Sequence, residues 1–403
     1  MSVFPPRPRL RVMHVITMLE PGGAQRNTLY TVAHLDRERF APGLLAGPGG
    51  LLDGEARSLP DVPFATCPHL RREPRPLRDL RALLDLRRRF RAERPAIVHT
   101  HSSKAGILGR LGASLAGVPA IVHTVHGWGF HPGQPPPVRA FYVALERLAA
   151  RATSRLVAVS RANAETGARA RIAPAAAFRV IRSGVELARF RDAAGSGAFR
   201  AELGIGPGVP LVGMVACLKP QKLPVDFVRV AARVAEKFPA AVFVLAGDGV
   251  LRPAVEEAAA RAGLGDRFRL LGWRDDPERI VGDLDVLVLT SLHEGLPRVV
   301  PEAMAAGRPV VATAVDGTPE AVTDGVTGFL APPGDVVGLA DRVARLLGDA
   351  DLRERFGAAA RERCGEWDID RMVRDQEALY AELAEEAGLW PRPVPPAFRH
   401  RVG

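Results

Sequence analysis

The sequence predicts an α/β protein of two doubly wound, parallel-sheet domains facing each other across a deep cleft. Short apolar runs alternate with longer stretches of helical spacing from residue 10 to residue 347, as in βαβ units whose sheets are covered on both faces. A segment rich in Gly, Ala and Pro at 193–210 splits that alternation into two series. At 403 residues the chain also exceeds one ordinary domain and suffices for two with separate cores.

The first series opens with a strand at 10–19, turns at Pro21-Gly22-Gly23 and continues as a helix at 24–35. Further strands are expected at 96–100, 120–125, 156–159 and 179–181, with helices at 77–94, 105–116, 138–152 and 161–170. The second series places strands at 211–217, 241–246, 269–271, 285–290, 309–313 and 328–330, and helices at 225–237, 251–262 and 336–347. The domains are therefore drawn as 1–192 and 211–370, joined by a linker at 193–210. A C-terminal helix at 371–388 is expected to cross back to the first domain, and the basic, proline-rich tail 389–403 to be disordered.

Composition narrows the function. Cys67, Cys217 and Cys364 lie far apart, which argues against a disulfide framework or a zinc ribbon and for a reducing compartment. No run approaches the roughly 18 apolar residues of a spanning helix, and the N-terminus lacks a signal-peptide core. A cytoplasmic location is expected, with peripheral contact at the inner face of the membrane as an extension of it.

The net charge of +10 is uneven: residues 1–200 hold 31 Lys and Arg against 14 Asp and Glu, and residues 201–403 hold 24 against 31. Ten of the arginines fall between Arg71 and Arg94. Leu77, Leu80, Leu83, Leu84 and Phe90 recur there near helical spacing, which reads as a helix burying its leucines and exposing its arginines. Contact of Arg71–Arg94 with an anionic membrane is the second reading; no nucleic-acid partner is expected.

The most informative motif is Thr290-Ser-Leu-His-Glu-Gly-Leu-Pro-Arg-Val-Val-Pro-Glu302. It follows an apolar strand and precedes a short helix, with Pro301 in that helix's first turn, where its missing N–H has no partner to lose. Glu294 and Glu302 then flank the crevice at the strand's carboxyl end, where open α/β sheets bind ligands. A carboxylate can accept two bonds from a vicinal diol, and the Gly295 and Leu296 amides near a helix start suit a diphosphate. The motif reads as a nucleotide-sugar clamp; two solvated glutamates beside a tight turn is the competing reading. No G-x-G-x-x-G follows the first strand, which disfavours a dehydrogenase.

Together, the Glu294–Glu302 pair, Lys222, the Gly22-Gly23 turn and Thr124-Val-His126-Gly resemble family 4 of the retaining glycosyltransferases, with the GT-B fold of two Rossmann-like domains. The resemblance spans roughly residues 10–385. The stretch His123-Thr-Val-His-Gly-Trp-Gly-Phe-His131 is most similar to bacterial exopolysaccharide, capsule and lipid-linked oligosaccharide enzymes. It implies transfer of a hexose-type sugar from a nucleoside diphosphate donor, by default a UDP-sugar, to a lipid-linked or polysaccharide acceptor such as a polyprenyl-diphosphate saccharide. It implies no cofactor and no metal.

The resemblance also implies roles. Glu302 would hold the donor ribose, and Glu294 the sugar hydroxyls. Gly295 and Leu296 would present amides, and Lys222 would neutralise the leaving diphosphate, a charge that grows in the transition state. Gly22 and Gly23 would close over the phosphates, His126 would assist at the reacting sugar, and the base would lie near Trp273 and Arg274. Catalysis thus rests on His126, Glu294 and Lys222. Where the family commonly has an arginine five residues before this lysine, the chain has Cys217; Lys219, Arg298 and Arg182 are candidate second cations. His101, Lys104 and Arg110 are candidate acceptor contacts. Asp316-Gly317-Thr318-Pro319-Glu320 resembles a later glycine loop in which Glu320 orients structure.

His99, His101, His123 and His126 lie close together, yet the acidic partners of a hydrolytic metal centre are absent nearby, so no metal site is assigned. Two other classes stay open. A nucleotide-sugar 2-epimerase would need more acids and bases in the first half. A catalytically weak nucleotide-sugar-binding member would fit the missing arginine.

Overall fold

Runs such as Val-Phe-Val-Leu-Ala at 242–246 have no polar face to turn to water, so they pair side by side in sheets covered on both sides. The computed structural model describes residues 9–390 and contains two such sheets, one in each of two contact units. One unit comprises the chain up to Ala158, Gly167–Ile181 and the chain from Val373; the other holds Val159–Thr166 and Arg182–Met372.

The first sheet has the strands β1 Leu10–Met18, β2 Phe40–Gly47, β3 Phe64–Thr66, β4 Ile97–His101, β5 Ala120–Val125, β6 Arg155–Ala158 and β7 Phe178–Val180. All pair in parallel, in the order β3-β2-β1-β4-β5-β6-β7. Sequence spacing does not reveal β2 and β3. β3 is three residues long, and β2 carries Pro42, Gly43 and Gly47, which read locally as turn formers. Gly47 is needed there because a Cβ would sit 2.1 Å from the Leu70 carbonyl and 2.4 Å from that of Thr17.

The second sheet has the strands β8 Leu211–Val215, β9 Val242–Ala246, β10 Phe268–Gly272, β11 Val286–Leu289, β12 Val310–Thr313 and β13 Gly328–Ala331. They are parallel as well, in the order β10-β9-β8-β11-β12-β13. Val212, Val244, Leu287 and Val311 form its core with Phe227 and Val343 from the covering helices Pro224–Lys237 and Val336–Gly348.

The units divide at Ile181/Arg182, ahead of the glycine-rich 193–210 stretch. That stretch is held within the second unit. Phe199 is fully buried, and Asp283 accepts the Gly197 and Phe199 amides at 2.8 Å each, anchoring the short helix Ala198–Glu202. The C-terminal helix Ile369–Glu386 joins the first unit from Val373 onward. Arg155 reaches its Glu382 at 2.9 Å. Trp390, assigned above to a disordered tail, is instead buried against Phe40, ring centres 5.9 Å apart; 391–403 lie outside the described residues.

The arginine-rich segment forms the helix Pro76–Glu93, but it faces differently from its leucine pattern. Ala82, Leu86 and Phe90 are buried, whereas Leu77, Leu80 and Leu84 are 78%, 53% and 46% exposed. The neighbouring helix Ser103–Ala116 offers a small-residue surface, with Gly112 directly under Leu86, so the 82-86-90 stripe nests there and the more N-terminal leucines turn outward. No helix among the described residues is long and apolar enough to cross a membrane.

Candidate active site

Strand order reverses between β8 and β11 in the second sheet and between β1 and β4 in the first. Loops leaving the carboxyl ends of such strands diverge and open a crevice for a ligand. Most of the residues singled out in the sequence lie on these loops.

In the second unit, the β8 and β11 loops are fastened to each other. The Leu292 amide donates to the Gln221 carbonyl and Gln221 Nε2 to the His293 carbonyl, both at 2.8 Å. Thr290 Oγ1, just beyond β11, donates to the Lys222 and Leu223 carbonyls at 2.8 and 2.9 Å. Those bonds hold Leu223 in the left-handed region (φ 44°), an unusual state for leucine. The turn so held aims the Lys222 ammonium at Glu294, with which it forms an ion pair.

Glu294 is buried and over-determined: Ser291 Oγ donates to its Oε1 at 2.6 Å, and its own amide donates to Asp316 Oδ2 at 2.6 Å. Burial raises the Asp316 carboxyl above its ordinary range, against the Glu294 amide, which lowers it. The Gly295 and Leu296 amides have no protein acceptor among the described residues. The Gly295 carbonyl accepts from Asn163 Nδ2 at 3.4 Å and lies so near Gly317 that a Cβ there would stand 2.3 Å away. Glu302, on the helix Val299–Ala305, is buried; burial raises its carboxyl, opposed chiefly by Arg298, whose Nη2 lies 3.7 Å from Oε1. Pro301 lies in the first turn of this helix, as expected.

The other candidates separate. Arg182 is paired with Glu320 at 3.3 Å and Glu366 at 3.7 Å. Lys219 makes no ion pair among the described residues and stands three positions before Lys222. Trp273 is half exposed. The Arg274 guanidinium is saturated by Asp276 (2.7 Å twice) and Glu202 (2.6 Å), so only its backbone is available to a ligand. Those carboxylates raise its already high pKa further. Glu320 Oε1 accepts the Ala162 amide at 2.9 Å, tying down the start of the helix Arg161–Arg169.

In the first unit, Gly22 is extended and Gly23 opens the helix Gly23–His34 directly after β1. The β4 loop packs beside it: Thr17 Oγ1 lies 2.7 Å from Ser102 Oγ and accepts the Ala105 amide at 3.0 Å. His126 stands half-buried just past β5, with Nε2 3.1 Å from His101 Nδ1.

Two of the three acceptor contacts are corrected. Arg110 is fully buried, donating to Glu146 Oε2 at 2.6 Å and to the Gly106 carbonyl at 2.7 Å. It serves the interior of the fold, where losing one partner of such a pair costs about 3–5 kcal/mol. His101 is 3% exposed, and both its nitrogens are engaged, by His14 at 3.0 Å and by His126. Lys104 reaches the surface already paired with Asp79 at 2.8 Å.

His14, Tyr380, Ser291 and Asp316 were not assigned to the site from sequence. A usable signal existed for His14: it lies opposite His99 in the β1–β4 register. Nitrogens of His14, His99 and His101 lie within 4.8 Å of one another, a spacing a metal could use. Each of the three rings already hydrogen-bonds protein groups. Burial depresses every imidazole here, His14 to about 3 and His126 to about 4, with His99, His101 and His123 also lowered, so all are neutral near pH 7.

Comparison with known proteins agrees with both halves. Residues 21–189 match the model of Glycosyltransferase Family 4, and 196–363 that of Glycosyl transferases group 1. The UDP-Gal:alpha-D-GlcNAc-diphosphoundecaprenol alpha-1,3-galactosyltransferase of Escherichia coli is 33% identical over 383 residues, covering 93% of this chain and 97% of the relative. The D-inositol 3-phosphate glycosyltransferase of Nocardia farcinica is 32% identical over 359 residues, 83% of this chain and 74% of the relative. Among solved structures, Anabaena HepE in complex with UDP and glucose aligns with a TM-score of 0.78 at 21% identity over 93% of this chain and all of that one. Sucrose-phosphate synthase from Thermosynechococcus elongatus reaches 0.79 at 21% identity over 94% and 100%. With two parallel-sheet Rossmann-like halves and a relative this similar along nearly its whole length, the chain belongs to the family 4 glycosyltransferases of the GT-B fold.

Proposed function

We propose that this glycosyltransferase moves a hexose from a UDP-hexose, with galactose as the first candidate, onto a sugar carried by a polyprenyl diphosphate, with retention of the anomeric configuration and without a metal. The Lys222–Glu294 pair at the β8/β11 switch point carries the proposal. A cation suited to a leaving diphosphate and a carboxylate suited to sugar hydroxyls, on adjoining loops, support the reading. The chain's similarity to an enzyme named for UDP-Gal and a diphosphoundecaprenol acceptor supports the donor and acceptor classes.

The acceptor oxygen attacks C1 on the face that UDP leaves; the C1–O bond to the β-phosphate breaks as the new glycosidic bond forms. The acceptor's proton passes to the departing β-phosphate oxygen. Lys222 exchanges Glu294 for that phosphate, and Glu294 turns its freed oxygen to the sugar. Lys219 stands in for the arginine missing at Cys217 as a point charge. Glu302 accepts the ribose hydroxyls, and His126 hydrogen-bonds a hydroxyl of the reacting sugar. Gly22 and Gly23 lie against the donor phosphates, and the backbone at Trp273 and Arg274 against the base.

The test is proton NMR of the protein with UDP- and GDP-hexoses in EDTA, with a polyprenyl-diphosphate-linked GlcNAc acceptor. An α-linked product from UDP-galactose is expected; a β-linked product, a C2 epimer, or turnover lost in EDTA would overturn the respective part. Glu302→Ala should weaken UDP binding by about 10–100-fold by calorimetry, the worth of two charge-assisted bonds; unchanged affinity would remove Glu302 from the ribose.

A lipid-linked acceptor also suits the Pro76–Glu93 helix, where exposed Leu77, Leu80 and Leu84 share a face with exposed Arg81, Arg88 and Arg91. Changing the three leucines to Gln should cut co-sedimentation with phosphatidylglycerol vesicles by at least ~10-fold and leave neutral vesicles unbound as before. Equal binding by both proteins would place the membrane contact elsewhere.

A further inference from the structure

Four buried polar side chains, Gln376, Tyr380, His14 and His101, run in one hydrogen-bonded line from the C-terminal helix to the half-buried His126, and His99 branches from Tyr380. Tyr380 Oη lies 3.3 Å from Gln376 Oε1, 3.3 Å from His14 Nε2 and 2.5 Å from His99 Nδ1. His14 Nδ1 is 3.0 Å from His101 Nε2, and His101 Nδ1 is 3.1 Å from His126 Nε2. His99 Nε2 meets Thr124 Oγ1 at 2.7 Å. Register places these groups: β1 and β4 pair with His14 opposite His99, and β4 and β5 pair with His101 opposite Thr124.

A neutral imidazole has one N–H and one lone pair, and the phenol has one hydrogen. The amide oxygen of Gln376 only accepts, so it takes the phenolic hydrogen. The phenolic oxygen then accepts from His14 Nε2 and His99 Nδ1. His14 is left with a bare Nδ1, which accepts from His101 Nε2; His101 is left with a bare Nδ1, which accepts from His126 Nε2. The Thr124 hydroxyl donates to His99 Nε2. This assignment satisfies every contact in the line; reversing a single ring sets two donors or two lone pairs against each other. Burial keeps the Tyr380 phenol protonated.

We infer that Gln376 and Tyr380, acting through His14 and His101, are positioning residues that hold His126 as its Nε2–H tautomer, so that its Nδ1 lone pair accepts a hydrogen bond from a hydroxyl of the donor sugar. The inference rests on the reading of His126 as a sugar contact. It concerns a tautomer, which can be observed without turnover.

Long-range proton–nitrogen correlation spectra of the full chain with labelled histidine, at pH 7.5 without ligand, read the tautomer directly. The expected result is a protonated Nε2 and a bare Nδ1 on His126. Tyr380→Phe lets the line reverse and should move the proton to Nδ1; kcat should fall about 10-fold, the worth of one hydrogen bond, with UDP affinity unchanged. Should Tyr380→Phe fail to fold, the wild-type spectrum by itself decides the tautomer. A wild-type His126 protonated on Nδ1, or a tautomer indifferent to a folded Tyr380→Phe variant, overturns the relay. A reversal with unchanged kcat, together with an active His126→Ala enzyme, leaves the relay standing and removes the sugar-contact role of His126 instead.

Discussion

Replacing Lys222 by Ala is expected to lower kcat by about 10²–10³-fold, because a preorganised group at the site of developing charge is worth roughly 2.7–4 kcal/mol. Lys222 is preorganised in that sense. Its turn is held in a left-handed backbone state by two bonds from Thr290, and its ammonium already rests on Glu294. In the proposed function, the diphosphate therefore meets a cation whose backbone position was set during folding. The substitution also strands the buried Glu294 carboxylate, so it should be compared with Lys222→Ala combined with Glu294→Gln. If the stranded charge were the cause of the loss, the double variant would recover activity; a transition-state role predicts that it does not. Steady-state rates at saturating UDP-galactose, with UDP affinity measured alongside, decide it. A Lys222→Ala enzyme within about 3-fold of wild-type kcat would transfer the role to Lys219 or Arg298.

Acid should destabilise the protein steeply. His14, His99, His101 and His123 are buried with imidazoles depressed below the ordinary 6.5, desolvation being the main cause. In the unfolded chain the same groups bind protons near pH 6.5, so below that value the unfolded state holds more protons and gains stability as pH falls. The stabilising difference is complete above about pH 6.5 and drains toward the folded values, about 3 for His14. Each such histidine contributes a slope of about 1.4 kcal/mol per pH unit. His14 alone, acting over about 1.5 units, amounts to about 2 kcal/mol, and His99, His101 and His123 add to it in the same direction. Urea unfolding at pH 7 and at pH 5 should therefore show a collapse of the midpoint, and His14→Gln should flatten the pH slope by about one proton. A midpoint constant across that range would mean that the histidines titrate in the folded state.

The two-domain α/β class and most strand positions are legible in the residues themselves. Apolar runs bounded by Gly and Pro can only be buried parallel strands, and their spacing leaves helices between them. The positions of Glu294 and Lys222 on loops beyond strand ends, and of Glu302 on the short helix that follows, could be read from the sequence too. What stayed hidden depended on contacts distant in sequence. β2 was disguised by Pro42 and Gly43, which a sheet tolerates here through neighbours 20 or more residues away. The leucines of the Pro76–Glu93 helix fitted either face, and only the glycine surface of the adjacent helix chose one.

Side-chain partnership was the other decision left to tertiary structure. Arg110 and Lys104 look like free cations in the chain, yet folding brings Glu146 and Asp79 to them. His101 looks like a ligand contact, yet strand register sets it between His14 and His126. Local sequence determined where most strands and helices lie, since propensity and hydrophobic period act within a few residues. Which polar groups stay free for a substrate was decided only by packing, because a charge or an imidazole in the interior is satisfied by whatever the fold places beside it.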